Sequence, residues 1–336
     1  MSKKVLVIGG TGFLGKRLIK RLLEKDYRVR LLHRKGSNLE GIPKETELFI
    51  GDVTDRDSLM RAYKGMEYAF HSAALVTQWA KDRSVFDRVN VEGFTNSMTA
   101  AKENGVKKIV YTSSFMALGP SGEKPLRETD FHERSAFNND YERTKYLAEL
   151  EAIKLRAQGL PLVTTYPGVI YGPGDLTEGN IVVRNFLLPR ARGEFLGLFM
   201  LGHGTGLWSY SYIDNVAEGH ILALEKGKNE EGYILGGENA DHRKMFSMAE
   251  KLGGIKYPPL KMPFIIAKMK GYMDVSIARL TGKQPKVTPG AVNVFKHNWA
   301  LDSSKAVKEL GYKMTSFEEG LKLTIKWLDE NGYIKN

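Results

Sequence analysis

Cysteine is absent from all 336 residues. That excludes disulfides, thiolate metal sites and a cysteine nucleophile together, and it leaves the compartment open, because a cysteine-free chain suits either redox environment. Long apolar runs are absent too. No stretch reaches the ~18 residues that a bilayer-crossing helix needs. The apolar run behind the basic start ends at Gly9, short of the roughly 7–15 residues of a secretory core. It reads as a buried first strand, and the expected location is cytoplasmic. Arginine-rich tracts and nucleic-acid motifs are also missing. Lys and Arg occur along the whole chain, giving a net charge of +11, which fits a basic surface around an anionic cofactor and no nucleic-acid partner.

What is present is a chain with 42% hydrophobic residues, enough for a full-sized core. In the first 165 residues, short apolar runs at 5–8, 29–32, 48–50, 68–71, 108–112 and 162–166 alternate with helix-spaced segments such as 14–23, 57–64, 89–103 and 141–158. Strands alternating with helices predict βαβ units and a parallel sheet buried on both faces, an α/β doubly wound fold. After Pro167 the texture changes, with Gly and aromatics thickening through 168–206. This predicts a dinucleotide-binding domain over 1–166, completed by part of 207–230, and a smaller interleaved substrate-binding region over most of 167–336.

Between the first strand and first helix lies Gly9-Gly10-Thr11-Gly12-Phe13-Leu14-Gly15. Glycines there permit a tight turn and let backbone approach a pyrophosphate resting on helix N-terminal amides. The second strand ends His33-Arg34-Lys35, without the acid that would hold an unphosphorylated adenosine ribose. Arg34 can grip a 2′-phosphate bidentately and Lys35 adds charge, so the expected cofactor is NADP, with NAD the weaker alternative. Asp52 and Val53 close the third strand where adenine would lie, although an Asp there also serves as a turn cap. Ala73 and Ala74 follow the fourth strand as small residues past which a cofactor can run.

Tyr141 and Lys145 stand four apart at the start of a helix and share one face. A phenol with a pKa of about 10 is a poor catalyst at neutral pH, and a neighbouring ammonium favours its ionised form. Ser114 ends the fifth strand, where it can donate to a substrate oxygen; Ser113 competes for that role. No G-x-S-x-G elbow occurs, which argues against a serine hydrolase.

These motifs, with Asn90-Val91-Glu92-Gly93, Tyr166-Pro167-Gly168-Val169-Ile170-Tyr171-Gly172-Pro173-Gly174, Tyr212-Ile213-Asp214-Asn215 and Asn298-Trp299-Ala300-Leu301-Asp302, fall in the order of the extended short-chain dehydrogenase/reductase superfamily, which the chain resembles throughout. The resemblance implies a Rossmann fold, a Ser114–Tyr141–Lys145 mechanism, Pro167 and Val169 beside the nicotinamide, Asn90 as a structural residue, and a homodimer through 89–103 and 141–158. It is nearest to the dihydroflavonol-reductase and farnesol-dehydrogenase-like branch. Sugar-nucleotide epimerases usually have Arg where Tyr166 stands, and a phosphate-holding Arg-Asp pair where Trp208 and Ser209 stand. The implied activity is alcohol/carbonyl oxidoreduction on a mostly apolar small molecule. Sugar-nucleotide epimerisation with tightly bound NAD is the alternative, and a dinucleotide-binding sensor the third. Trp208 reads equally as pocket wall or as core. Residues 174–206 and 257–284 are the expected specificity segments. The apolar stretch 260–267, flanked by lysines, is expected as a pocket helix in preference to a membrane contact.

Overall fold

The computed structural model describes residues 2–131 and 133–334. Among these residues, twelve strands follow in chain order: β1 (Lys4–Ile8), β2 (Arg28–His33), β3 (Glu47–Ile50), β4 (Tyr68–His71), β5 (Lys108–Thr112), β6 (Leu162–Pro167), β7 (Val169–Tyr171), β8 (Phe199–Leu201), β9 (Leu207–Tyr212), β10 (Gly232–Leu235), β11 (Glu238–Asp241) and β12 (Leu260–Met262). Seven form one parallel sheet in the order β10-β6-β5-β4-β1-β2-β3. The chain reverses direction across the sheet between β1 and β4, which opens a crevice at their carboxyl ends.

Burial explains why these short runs become strands. β6 is buried along its whole length and β1 everywhere but its first residue, as expected of central strands covered on both faces. One apolar layer joins Leu6, Ile8 and Ile109 to helices Arg56–Tyr63, Gly93–Glu103 and Asp140–Ala157. The other joins Val5, Val7 and Val163 to helices Phe13–Glu24 and Ile213–Lys226. β3, at the edge, leaves Leu48 and Ile50 exposed.

The segment expected as one helix over 89–103 is π-helical at Arg88–Glu92 before continuing as α-helix over Gly93–Glu103. The wider turn carries Asn90, whose side chain accepts from Leu75 N at 2.7 Å and donates to Thr144 Oγ1 at 2.9 Å. Helix Asp140–Ala157 is thereby tied to the loop after β4. Beyond residue 167 a second lobe forms around the small sheet β11-β9-β7 and the pair β12-β8. β9 pairs there, outside the main sheet, whereas helix Ile213–Lys226 packs on helix Phe13–Glu24 and β10 adds the seventh strand. The 260–267 stretch divides: Leu260–Met262 is strand, and Pro263 starts a helix over Phe264–Thr281.

Candidate active site

A cavity of about 1460 Å³ runs from the β1–β4 crevice into the second lobe. Its first wall is the glycine turn. Gly9 has φ +87°, and a Cβ there would lie 2.5 Å from the Ala73 nitrogen, so this glycine lets two strand ends touch. A Cβ on Gly15 would strike the Gly9 carbonyl and Gly10, so Gly15 sets the close approach of helix to strand. Gly12 differs. Its Cβ would meet only the Gly9 oxygen at 3.5 Å, and Gly12 lines the cavity. Packing does not demand a glycine there, whereas a dinucleotide phosphate passing over the helix N-terminus does. The cradle fits such a cofactor.

Thr11, Phe13, Leu14, Arg34, Asp52, Val53, Ala73 and Ala74 also line the cavity, as do Pro167 and Val169. Lys35 is exposed and does not, so it is not brought together with Arg34; Ser37 lines the wall instead. One oxygen of Asp52 accepts from Thr54 N at 2.9 Å and Thr54 Oγ1 at 2.8 Å. The residue thus caps a turn and faces the cavity at once.

Ser114, Tyr141 and Lys145 line the same cavity. Ser114 ends the strand region and caps the short helix Phe115–Leu118, its Oγ accepting from Met116 N at 3.2 Å. That leaves its proton to give, and the hydroxyl lies beside the Tyr141 phenol. Ser113 also reaches the cavity wall, but its buried hydroxyl faces the Glu149 carboxylate. Geometry therefore brings Ser114, not Ser113, to the phenol. Asn139 caps the helix that carries Tyr141, accepting from Glu142 N at 2.8 Å.

Lys145 is buried, donating to the Thr112 carbonyl at 2.8 Å and lying over the Tyr111 ring at 4.9 Å. Burial pulls its pKa down to about 7, opposed by the Glu149 carboxylate one turn on. Glu149 is fully buried, held by Arg156 at 3.1 Å and by the Tyr166 hydroxyl at 2.7 Å. The phenol's pKa is raised by burial, and Ser114 rather than Lys145 opposes the rise. The ammonium itself turns to the Thr112 carbonyl.

The far end is aromatic. Trp208, His242, Phe186 and Phe295 pack together, with Trp208 and His242 centroids 4.7 Å apart and Trp208 and Phe295 4.8 Å apart. Trp208 is both of the things its sequence context allowed: it is buried and it lines the cavity, with its indole nitrogen lacking a hydrogen-bond partner among the described residues. Burial keeps His242 neutral, its pKa lowered to about 4. The expected specificity segments contribute Phe186, Phe195, Met262 and Lys270, whereas His242, Phe246 and Phe295 come from outside them. No local pattern marks these three; they meet only through tertiary packing. Among the described residues, no group of His, Asp or Glu could hold a metal.

Residues 5–236 match the NAD dependent epimerase/dehydratase family. A candidate dihydroflavonol 4-reductase of Synechocystis sp. is 31% identical over 100% of this chain and 97% of its own. Sterol demethylase protein B of Methylococcus capsulatus is 29% identical over 98% and 99%. The crystal structure of gox2253 superposes with a TM-score of 0.80 at 34% identity, covering 99% of this chain and 100% of that one. A UDP-glucose 4-epimerase of Thermotoga maritima, at 24% identity, shares the fold with a TM-score of 0.79 over 98% and 99%. The chain thus belongs to the NAD dependent epimerase/dehydratase family, the extended short-chain dehydrogenases/reductases, as an NAD(P)-dependent oxidoreductase.

Proposed function

We propose that this protein interconverts an alcohol and a carbonyl on a mostly apolar small molecule, using NADP(H). The observation that carries the reading is the meeting of Ser114, Tyr141 and Lys145 in one cavity whose outer end is walled by Trp208, Phe186 and Phe295. When bound, the nicotinamide supplies or accepts the hydride. In the reducing direction Tyr141 gives its phenolic proton to the substrate oxygen as that oxygen gains charge, and Ser114 donates a hydrogen bond to the same atom. Lys145, 3.4 Å from the Tyr111 hydroxyl and bonded to the strand-end carbonyl, holds the cofactor ribose. Pro167 and Val169 back the nicotinamide. Glycine-loop amides, Asp52, Val53, Ala73 and Ala74 seat the remainder of the dinucleotide. Arg34 favours the 2′-phosphate, with no acid among the cavity residues at the end of β2.

Trp208 supports the oxidoreductase over epimerisation of a sugar nucleotide. An indole in an apolar cluster offers a diphosphate no positive charge, whereas its unpartnered N–H can meet a single polar group on an otherwise apolar substrate.

The test is single-turnover reduction of an aldehyde and ketone panel by the wild type and by Tyr141→Phe, with cofactor affinity measured separately. The variant keeps the ring and loses the proton, so the chemical step falls about 10²–10⁴-fold while cofactor binding survives. Near-normal turnover in the cofactor-loaded variant would overturn the mechanism. Micromolar binding of a UDP-sugar by calorimetry would overturn the substrate class.

A further inference from the structure

The helix Phe264–Thr281 is packed inside out. Its buried face consists of Ala267, Gly271 and Ala278, and Gly271 lies so close to the 288–289 backbone that a Cβ would approach Pro289 N to 2.8 Å. Its large apolar side chains point the other way. A ridge of Met269, Met273 and Leu280 is flanked by Ile265 and Tyr272 on one side and by Ile266 and Ile277 on the other, each 50–88% exposed. Isolated exposed apolar residues are ordinary in folded proteins, but seven on one face of one helix form a contiguous patch. The surface continues at the same lobe through Leu260 of β12, which registers with Phe199 of β8, and the Phe199 ring meets exposed Phe195.

Charge says what covers this face. Lys and Arg run along the whole chain but acids do not. Residues 255–300 hold eight Lys or Arg and a single acid, Asp274, so this stretch carries +7 of the chain's +11. Asp274 is itself neutralised by Lys270 at 2.9 Å. Arg279 on this helix, Lys283 just beyond its end and Lys261 of β12 stand exposed. A second copy docking here through a two-fold axis would set +7 against +7. An anionic lipid surface is complementary on both counts: its acyl region takes the ridge and its headgroups take the cations.

We infer that helix Phe264–Thr281 lies in the interface of an anionic phospholipid bilayer, as a peripheral docking element and not a span. No helix among the described residues is long and apolar enough to cross a membrane. The inner side of the same helix walls the cavity through Ala267 and Lys270, next to Met262, so docking brings one wall of the cavity to the lipid. An apolar substrate can then pass from bilayer to cavity without crossing water. The docking itself does not depend on the proposed reaction.

The experiment is flotation of the full chain, without cofactor or substrate, with vesicles of phosphatidylcholine containing phosphatidylglycerol at low salt. The wild type should float. Met269→Glu/Met273→Glu and, independently, Arg279→Glu/Lys283→Glu should each lower the bound fraction at least tenfold while melting temperature and cofactor affinity stay at wild-type values. All these positions are exposed, so neither variant disturbs the core. Failure of the wild type to float, or flotation unchanged by both variants, overturns the inference. So does a wild-type dimer in sedimentation velocity that Met269→Glu/Met273→Glu makes monomeric, because the face then covers a second copy. Each of these failures leaves the oxidoreductase reading standing, since no turnover is read.

Discussion

The two ends of the cavity are built by different means. At the cofactor end the decisive features are backbone features: the +87° turn at Gly9, the helix pressed on the strand at Gly15, and the open position at Gly12. They lie within seven consecutive residues. At the substrate end the decisive features are side chains drawn from segments far apart: Phe186, Trp208, His242 and Phe295. A backbone constraint leaves a local trace, because only glycine satisfies it. A packing constraint leaves little, because many apolar residues satisfy it equally.

The sharpest way to break that comparison is a pair of substitutions in the glycine turn. Gly9→Ala combines a positive φ with a Cβ 2.5 Å from backbone that cannot move aside. The expected cost is at least the about 1–3 kcal/mol of a strained backbone position, read by thermal denaturation without cofactor. Gly12→Ala meets nothing closer than 3.5 Å. It should melt like the wild type while cofactor affinity drops on the order of tenfold, because the added methyl stands where the phosphate approaches. Equal loss of stability in both variants would mean that Gly12 is a packing residue and that the cradle argument fails.

The same contrast explains what could be read in advance. Strand ends as far as β6 agree with the structure to within a residue or two, since alternating apolar runs and glycine turns are local signals. Ser114 at a strand end, and Tyr141 and Lys145 on one helix face, are local signals of the same kind. The strand end favours Ser114 with Ser113 competing, and the short helix Phe115–Leu118 that Ser114 caps is visible only in the fold. The π-helical turn at Arg88–Glu92 has no separate sequence period to betray it. The division of 260–267 into a strand and a helix is equally silent, and the outward face of that helix runs against the rule that large apolar residues turn inward. Where Tyr166 replaces the usual Arg, the buried carboxylate of Glu149 gains that tyrosine's hydroxyl together with Arg156, a pairing spread over seventeen residues.

A contrast of charge sharpens the comparison at the adenosine end. Arg34 reaches the cavity and Lys35 does not, so the two basic residues should separate. Arg34→Asp removes a charge-assisted contact of about 1.5–3 kcal/mol, roughly 10–100-fold in NADP affinity, and shifts preference toward NAD. Lys35→Asp should change the ratio far less. Titration of both cofactors against both variants reads this directly, and tighter NAD than NADP binding by the wild type would reverse the assignment.

The smallest expected effect is a fraction of a proton, and it joins the two ends at Lys145. In the free protein burial holds this lysine at a pKa of about 7, against the ordinary 10.5. The unfolded chain therefore binds more protons than the folded one between pH 7 and 10.5, so this group makes the fold more stable as pH rises through that window. Cofactor binding runs the opposite way. Ribose hydroxyls that accept from the ammonium, and the negative phosphates along the crevice, favour the charged form and raise the pKa in the complex. At pH 6 the lysine is already charged, so binding takes up almost no proton. At pH 8 it is mostly neutral when free, so binding of the reduced cofactor should take up a large part of one proton. Affinity then weakens as pH rises, at a limit of about tenfold per unit between the free and bound pKa values. Calorimetry at pH 8 in two buffers of different ionisation enthalpy measures the uptake. Lys145→Met should abolish it, and Glu149→Gln, which removes the carboxylate that holds the pKa up, should move its onset to lower pH. Uptake that persists undiminished in Lys145→Met would place the titrating group elsewhere in the cavity.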